Sequence, residues 1–106
     1  MNAQYKKGVL ELCVLSLLKK RDHYGYEIAE YLSEHIPIAD GTVYPILRKM
    51  KADGWLTTYL QEESGGPPRK YYRLTGQGIE TYRRDRAEYL AFADAVRHLL
   101  GEEDTE

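Results

Sequence analysis

The 106-residue chain predicts a mostly α-helical domain that carries a β-hairpin and closes with a long helix. Three observations predict it. Apolar residues recur at helical spacing in three segments between residues 10 and 50. Two short strand-like runs, 55–62 and 70–74, flank a stretch rich in glycine and proline. Beyond residue 75, a row of residues steps by threes and fours as far as residue 100. A chain this short makes one small domain with a modest core, so burial against a partner is expected from the outset.

In the first helix, Leu10, Leu12, Cys13, Val14, Leu15, Leu17 and Leu18 are apolar nearly all round, which requires burial on more than one side. One of those sides, through Leu10, Cys13 and Leu17, is expected to face a second chain. Lys19, Lys20 and Arg21 close the helix, where cations suit the helix dipole. Asp22 and His23 read as a short turn. A second helix over 24–34 carries Tyr24, Ile28, Tyr31 and Leu32 at helical spacing and ends before Pro37.

The third helix restarts at Asp40, with Asp40 or Thr42 as its cap. Pro45 is tolerated early in it, where amide donors lack internal partners anyway. Ile46, Leu47 and Met50 form its inward stripe, and Gly54 stops it. The hairpin follows, with Glu63-Ser64-Gly65-Gly66-Pro67-Pro68-Arg69 at its tip. Trp55, at the strand start, is expected to anchor the core or a seam.

Thr75 caps the closing helix, whose first turn is weakened by Gly76 and Gly78. Its row is Ile79, Tyr82, Arg86, Tyr89, Ala93, Val96 and Leu100. A helix over 76–100 extends about 37 Å at roughly 1.5 Å per residue. The three preceding helices and a hairpin cannot cover that length, so its exposed part is expected to pair with another subunit.

Formal net charge is −2, and the pI near 5.9 argues against a nucleic-acid partner until the charges are placed. Glu102, Glu103, Asp104 and Glu106 lie in the last five residues; without those four the chain is +2. From Gly41 to Arg86 nine basic residues face five acidic ones, so that stretch is +4.

Several function classes are excluded. A single cysteine, Cys13, allows neither an intrachain disulfide nor a cysteine-based zinc site, and in so apolar a run it reads as an inert buried residue. His23, His35 and His98 are not paired at metal-ligand spacing. Ser16 lacks a nucleophile elbow, and Gly65-Gly66 lies in a hairpin rather than before a helix. No enzyme, metal or cofactor is expected. No apolar run approaches the ~20 residues needed to span a bilayer, and no signal peptide is read, so a cytoplasmic protein away from membranes is expected.

Two short helices joined tightly, then a hairpin, describe a winged helix-turn-helix. The third helix begins Thr42-Val43-Tyr44 and presents Arg48, Lys49 and Lys51. Such a helix fits the major groove of double-stranded DNA. The hairpin, acting as the wing, offers Arg69 and Lys70 to the sugar-phosphate backbone. Residues 1–75 are thus expected to form the DNA-binding domain, 76–101 the dimerisation helix and 102–106 an acidic tail. Two other readings stand beside this one: a winged helix that docks protein, and a small-molecule sequestering protein without DNA.

Four motifs in order resemble the PadR family of bacterial transcriptional regulators: Leu10-Glu11-Leu12, Tyr24-Gly25-Tyr26-Glu27-Ile28, Gly41-Thr42-Val43-Tyr44-Pro45-Ile46-Leu47, and 65–75 with Gly65-Gly66-Pro67-Pro68-Arg69-Lys70 at its head. The single closing helix is similar to the family's smaller subgroup. The resemblance implies a homodimer that binds a pseudo-palindromic operator, usually as a repressor. It assigns DNA contact to Gly41, Thr42 and Tyr44, a place near phosphate to Tyr26, and the wing to Arg69 and Lys70. It also implies a flat aromatic effector at the dimer interface, for which Leu12, Ser16, Tyr89, Phe92 and Ala93 are the candidates. Tyr89 stands where some members of that subgroup carry a tryptophan, and its smaller ring offers less stacking area.

Overall fold

The apolar first helix becomes the centre of the molecule. In the computed structural model, which describes residues 3–39, 41–62 and 65–101, α1 spans Ala3–Lys20. Its Leu10, Val14, Leu15, Leu17 and Leu18 are all buried. Around it stand β1 (His23–Tyr24), α2 (Gly25–His35), α3 (Val43–Ala52), β2 (Leu56–Gln61), β3 (Arg69–Leu74) and α4 (Gly76–Gly101). The strands form one antiparallel sheet in the order β1-β3-β2. Ile28 and Leu32 of α2, four of the ten residues of α3, and Leu56, Tyr72 and Leu74 of the sheet complete the core.

The expected architecture, mostly α with a hairpin wing and a long closing helix, is the observed one. Two local expectations change. His23 and Tyr24 are not turn and helix start; they pair with Tyr72 and Tyr71 of β3. Two residues are too few to show strand alternation in a sequence. Thr42 makes no side-chain cap, because its backbone is already helical, at φ −62° and ψ −34°. Asp40, the other candidate cap, lies outside the described residues, as do Glu63 and Ser64 of the hairpin tip and the acidic tail.

The joint between α3 and α4 is built from three glycine and threonine positions. Trp55 N–H donates to Met50 O at 2.9 Å and Gly54 N–H to Lys51 O at 3.1 Å, while Gly54 takes φ +84°. This is a Schellman ending, and it needs the left-handed backbone that glycine adopts without strain. Thr75 then works in both directions. Its hydroxyl donates to Gly54 O at 2.7 Å and accepts the Gly78 amide at 3.0 Å, so it caps α4 as expected and ties it to the end of α3.

Gly78 is not merely a weak helix former. A Cβ there would lie 2.2 Å from the Trp55 carbonyl oxygen, so glycine lets α4 dock against the strand start. Trp55 itself is half-buried and packs on the core.

The molecule measures 59 × 28 × 22 Å, with a radius of gyration of 16.2 Å. A compact chain of this length has about 13 Å. The excess comes from α4, whose 26 residues extend about 39 Å. Its first turns pack on the domain through Gly78, Ile79, Thr81 and Tyr82, and its second half leaves Leu90, Phe92, Leu99 and Leu100 exposed. Among the described residues, no helix is long and apolar enough to cross a membrane.

Gly78→Ala sets two effects against each other. Helix propensity favours alanine by up to about 1 kcal/mol, whereas overpacking against a backbone carbonyl costs about 1–3 kcal/mol and cannot be relieved by a side-chain rotation. The clash wins: we expect a net loss of about 1–2 kcal/mol, read as a lower midpoint in urea denaturation. An equal or higher midpoint would refute the close docking of α4 on Trp55.

Candidate nucleic-acid interface

Burial of Val43, Ile46, Leu47 and Met50 fixes how α3 is rotated about its axis. At 3.6 residues per turn, Tyr44, Arg48 and Lys51 then share one exposed flank. The Tyr44 ring lies against the start of α2, where a Cβ on Gly25 would come within 3.1 Å of it. Gly41, at φ +84°, turns the chain into α3. Tyr26 is 61% exposed on α2, and its hydroxyl donates to Glu30 at 3.4 Å. Tyr26, Gly41 and Tyr44 border one shallow groove between α2 and the start of α3. The sequence-predicted set Tyr26, Gly41, Thr42, Tyr44, Arg48 and Lys51 is therefore brought to one side, with Thr42 half-buried, Tyr44 38% exposed and the others open.

Lys49 departs from that set. It points off the opposite flank of α3, where its ammonium meets Asp53 at 3.0 Å and Glu11 at 3.4 Å and lies 5.1 Å from the Trp55 ring centre. The hydrogen bond to Asp53, with the charges of Glu11 and Asp53, raises its pKa against a smaller opposing effect of burial. Lys49 braces α3 against α1. Three basic residues close together in a sequence do not reveal that one of them is paired with acidic neighbours.

The wing shows the same division. Strand alternation puts Leu56, Thr58 and Leu60 of β2 on one face with Lys70, Tyr72 and Leu74 of β3. This face covers the helices near its root, and toward the tip it leaves Leu60 70% exposed beside Lys70. Tyr59, Arg69, Tyr71 and Arg73 occupy the other face. Arg69 and Lys70, predicted as one wing contact, therefore look in opposite directions.

On that outer face Tyr24, Tyr71 and Tyr59 stand in one row across all three strands. Tyr59 stacks on Tyr71 at 5.6 Å, and Tyr24 meets Tyr71 edge-on at 5.5 Å. The Arg69 guanidinium lies 4.5 Å from the Tyr24 ring centre and that of Arg73 lies 4.9 Å from Tyr59. Asp22 closes the row: its Oδ2 accepts the Tyr59 hydroxyl at 2.6 Å and Arg73 Nε at 3.0 Å. Burial works to raise the Asp22 carboxyl, but the hydrogen bonds from Tyr59 and Arg73 and the guanidinium charge outweigh it and hold its pKa below the ordinary value. Conversely, the bond to Asp22 raises the Tyr59 phenol. This cluster was not predicted, because its members are 37 and 51 residues apart.

The expected subunit seam divides likewise. Leu10 and Leu17 are buried in the domain's own core and Cys13 packs against it, so α1 offers little of them to a second chain. Burial also pushes the Cys13 thiol up, away from reactivity. Tyr82 packs on the same core. Tyr89, Ala93 and Val96 are half-buried, Leu100 is open, and Arg86 on the same row is exposed. Among the effector candidates, Tyr89, Phe92 and Ala93 line one groove of about 410 Å³ with Tyr5 and Val96. Leu12 borders the adjacent groove, which shares Tyr5 and Tyr89, and Ser16 lines neither. Among the described residues no group of three or more metal-ligating side chains comes together.

Helix pair, hairpin wing backed by a short third strand, and long closing helix define a winged helix-turn-helix regulator. The model of the PadR-like family of transcriptional regulators matches residues 14–84, and the chain belongs to that family, whose members regulate transcription and are not enzymes. It is similar to a PadR-like transcriptional regulator from Bacillus cereus, with a TM-score of 0.85 and 33% identity over 95% of this chain and 100% of that one. A Streptococcus transcriptional regulator gives a TM-score of 0.84 and 31% identity, covering 92% and 98% of the two chains. The transcriptional regulator Rv3488 of Mycobacterium tuberculosis is 28% identical over 99 residues, 92% of this chain and 89% of its own.

The depressed Asp22 pKa carries a sign. A carboxyl held below its unfolded value of about 3.9 stabilises the fold above that pH and loses the contribution as pH falls through its folded value. We expect Asp22→Asn to melt below the wild type at pH 7, with the two melting curves converging below about pH 4. A constant gap across that range would show that the cluster stabilises by something other than its charge.

Proposed function

We propose that the chain binds double-stranded DNA as a homodimer and acts as a repressor. The observation that carries this reading is the exposed flank of α3, where Tyr44, Arg48 and Lys51 stand together beside Gly41 and Thr42. Residues 1–75 form the reading head, with α3 in the major groove and Tyr26 near phosphate. Lys70 approaches the backbone from the wing face that covers the helices, while Arg69 supports the wing from its other face. The closing helix α4, residues 76–101, supplies the dimer contact along its uncovered second half, through Tyr89, Ala93, Val96 and Leu100. Twofold symmetry then demands a pseudo-palindromic operator with half-sites about 34 Å apart. Seated on a promoter, such a dimer blocks access to it.

The groove of Tyr89, Phe92 and Ala93 lies on this same seam. A flat aromatic effector held there relieves repression if it binds one spacing of the two heads better than the other.

Two measurements test the reading. In gel shifts on DNA upstream of the gene, log affinity falls linearly with log salt, by roughly 0.9 per phosphate neutralised. Arg48→Ala and Lys51→Ala each weaken binding and flatten that slope, while Lys49→Gln leaves it unchanged. A response independent of salt would overturn DNA binding in favour of protein docking. By light scattering the protein is expected at twice its 12.3 kDa subunit mass, and Val96→Glu is expected to halve it. A wild-type monomer would sink the proposed seam.

A further inference from the structure

Asp22 lies in the corner between α1 and β1, three residues before α2 begins. From there it reaches across the central strand. Its Oδ2 takes the hydroxyl of Tyr59 on β2 at 2.6 Å and both Nε and Nη2 of Arg73 on β3, at 3.0 and 2.9 Å. Strand β2 is the far edge of the sheet, bonded through its backbone to β3 and not to β1. One carboxylate therefore ties all three strands to the point where the chain enters α2. The tyrosine row and its two guanidiniums extend the same lattice to Arg69, the first residue of β3 beyond the tip.

We propose that Asp22 is a positioning residue that fixes the angle between the wing and the α2–α3 pair. Solvent screens the pair, since Arg73 is 59% exposed, so its contribution to global stability is modest. Within the lattice the Arg69 guanidinium lies against the Tyr24 ring and that of Arg73 against the Tyr59 ring. What a clamp at this place controls is orientation. β1 runs directly into α2 at Gly25, so holding β2 and β3 at Asp22 holds the wing relative to both helices. Its consequence for DNA rests on the reading above: wing and α3 must meet the duplex in register, and a wing free to swing must be ordered at each binding event.

The test uses the full-length protein. Residual dipolar couplings are recorded for wing amides and for amides of α2 and α3, with wild type, Asp22→Ala, Tyr59→Phe and the swapped pair Asp22→Arg/Arg73→Asp. In the wild type, wing and helices fit one alignment tensor. In Asp22→Ala the wing requires a rotated or smaller tensor while the helices keep theirs, Tyr59→Phe shows a lesser change, and the swapped pair returns to a common tensor. In parallel, affinity for a site selected from random DNA falls roughly three- to tenfold in Asp22→Ala and recovers in the swapped pair. A wing that keeps the common tensor in Asp22→Ala overturns the clamp. A wing that reorients with unchanged affinity overturns its role in DNA contact. If the wild type selects no DNA, the DNA reading falls and the dipolar couplings still decide the clamp.

Discussion

The rotational setting of α3 is the constraint on which the rest of the molecule depends. Val43, Ile46, Leu47 and Met50 are each at most 3% exposed, and turning the helix by a single residue step would drive charged side chains into the core. Burying a charge without a partner costs far more than any surface contact returns. The core therefore decides which residues face outward. Several elements bear on that setting: α2 and β2 supply the surfaces on which α3 packs, Lys49 ties it sideways to Glu11, and the Schellman turn at Gly54 fixes where it ends.

The architecture was legible in the sequence because its elements are long enough to show a period. The α2 stripe, the α3 stripe and the stepped row of α4 each repeat several times, and Gly54, Thr75 and the glycine-proline tip punctuate them. β1 was not legible, since two residues show no alternation and its pairing with Tyr71 and Tyr72 is a long-range event. The interface was legible by composition but not by direction. Lys49 resembles Arg48 and Lys51 in the sequence, and only the placement of Asp53 and of Glu11 on α1 shows that it is already paired. Arg69 and Lys70 are neighbours in the chain yet lie on opposite faces of a strand, a difference fixed by register. Asp22 gave no signal at all, because a carboxylate in a short turn is ordinary until its distant partners are placed.

The two ends of the molecule obey different economies of burial. Around α1, nearly every apolar side chain is covered by the domain itself, including Leu10 and Leu17. Along the second half of α4, Leu90, Phe92, Leu99 and Leu100 are not. Apolar surface gains roughly 25 cal/mol per Å² on leaving water, so the bare end is where association has something to gain and the covered end is not. The wing follows a third rule: its outer face substitutes ring and guanidinium stacking for a hydrophobic core, which suits a projection that must stay rigid while remaining in solvent.

The Thr75 hydroxyl joins the last turn of α3 to the first turn of α4 through two hydrogen bonds and the tight seat of Gly78. It leaves no slack between the element that faces outward and the longest rod in the fold. α4 extends about 39 Å from that seat, so a tilt of about five degrees of its packed first turns carries the far tip about 3 Å. The length of α4 sets that lever arm, and the seat made by Thr75, Gly78, Ile79, Thr81 and Tyr82 sets its base.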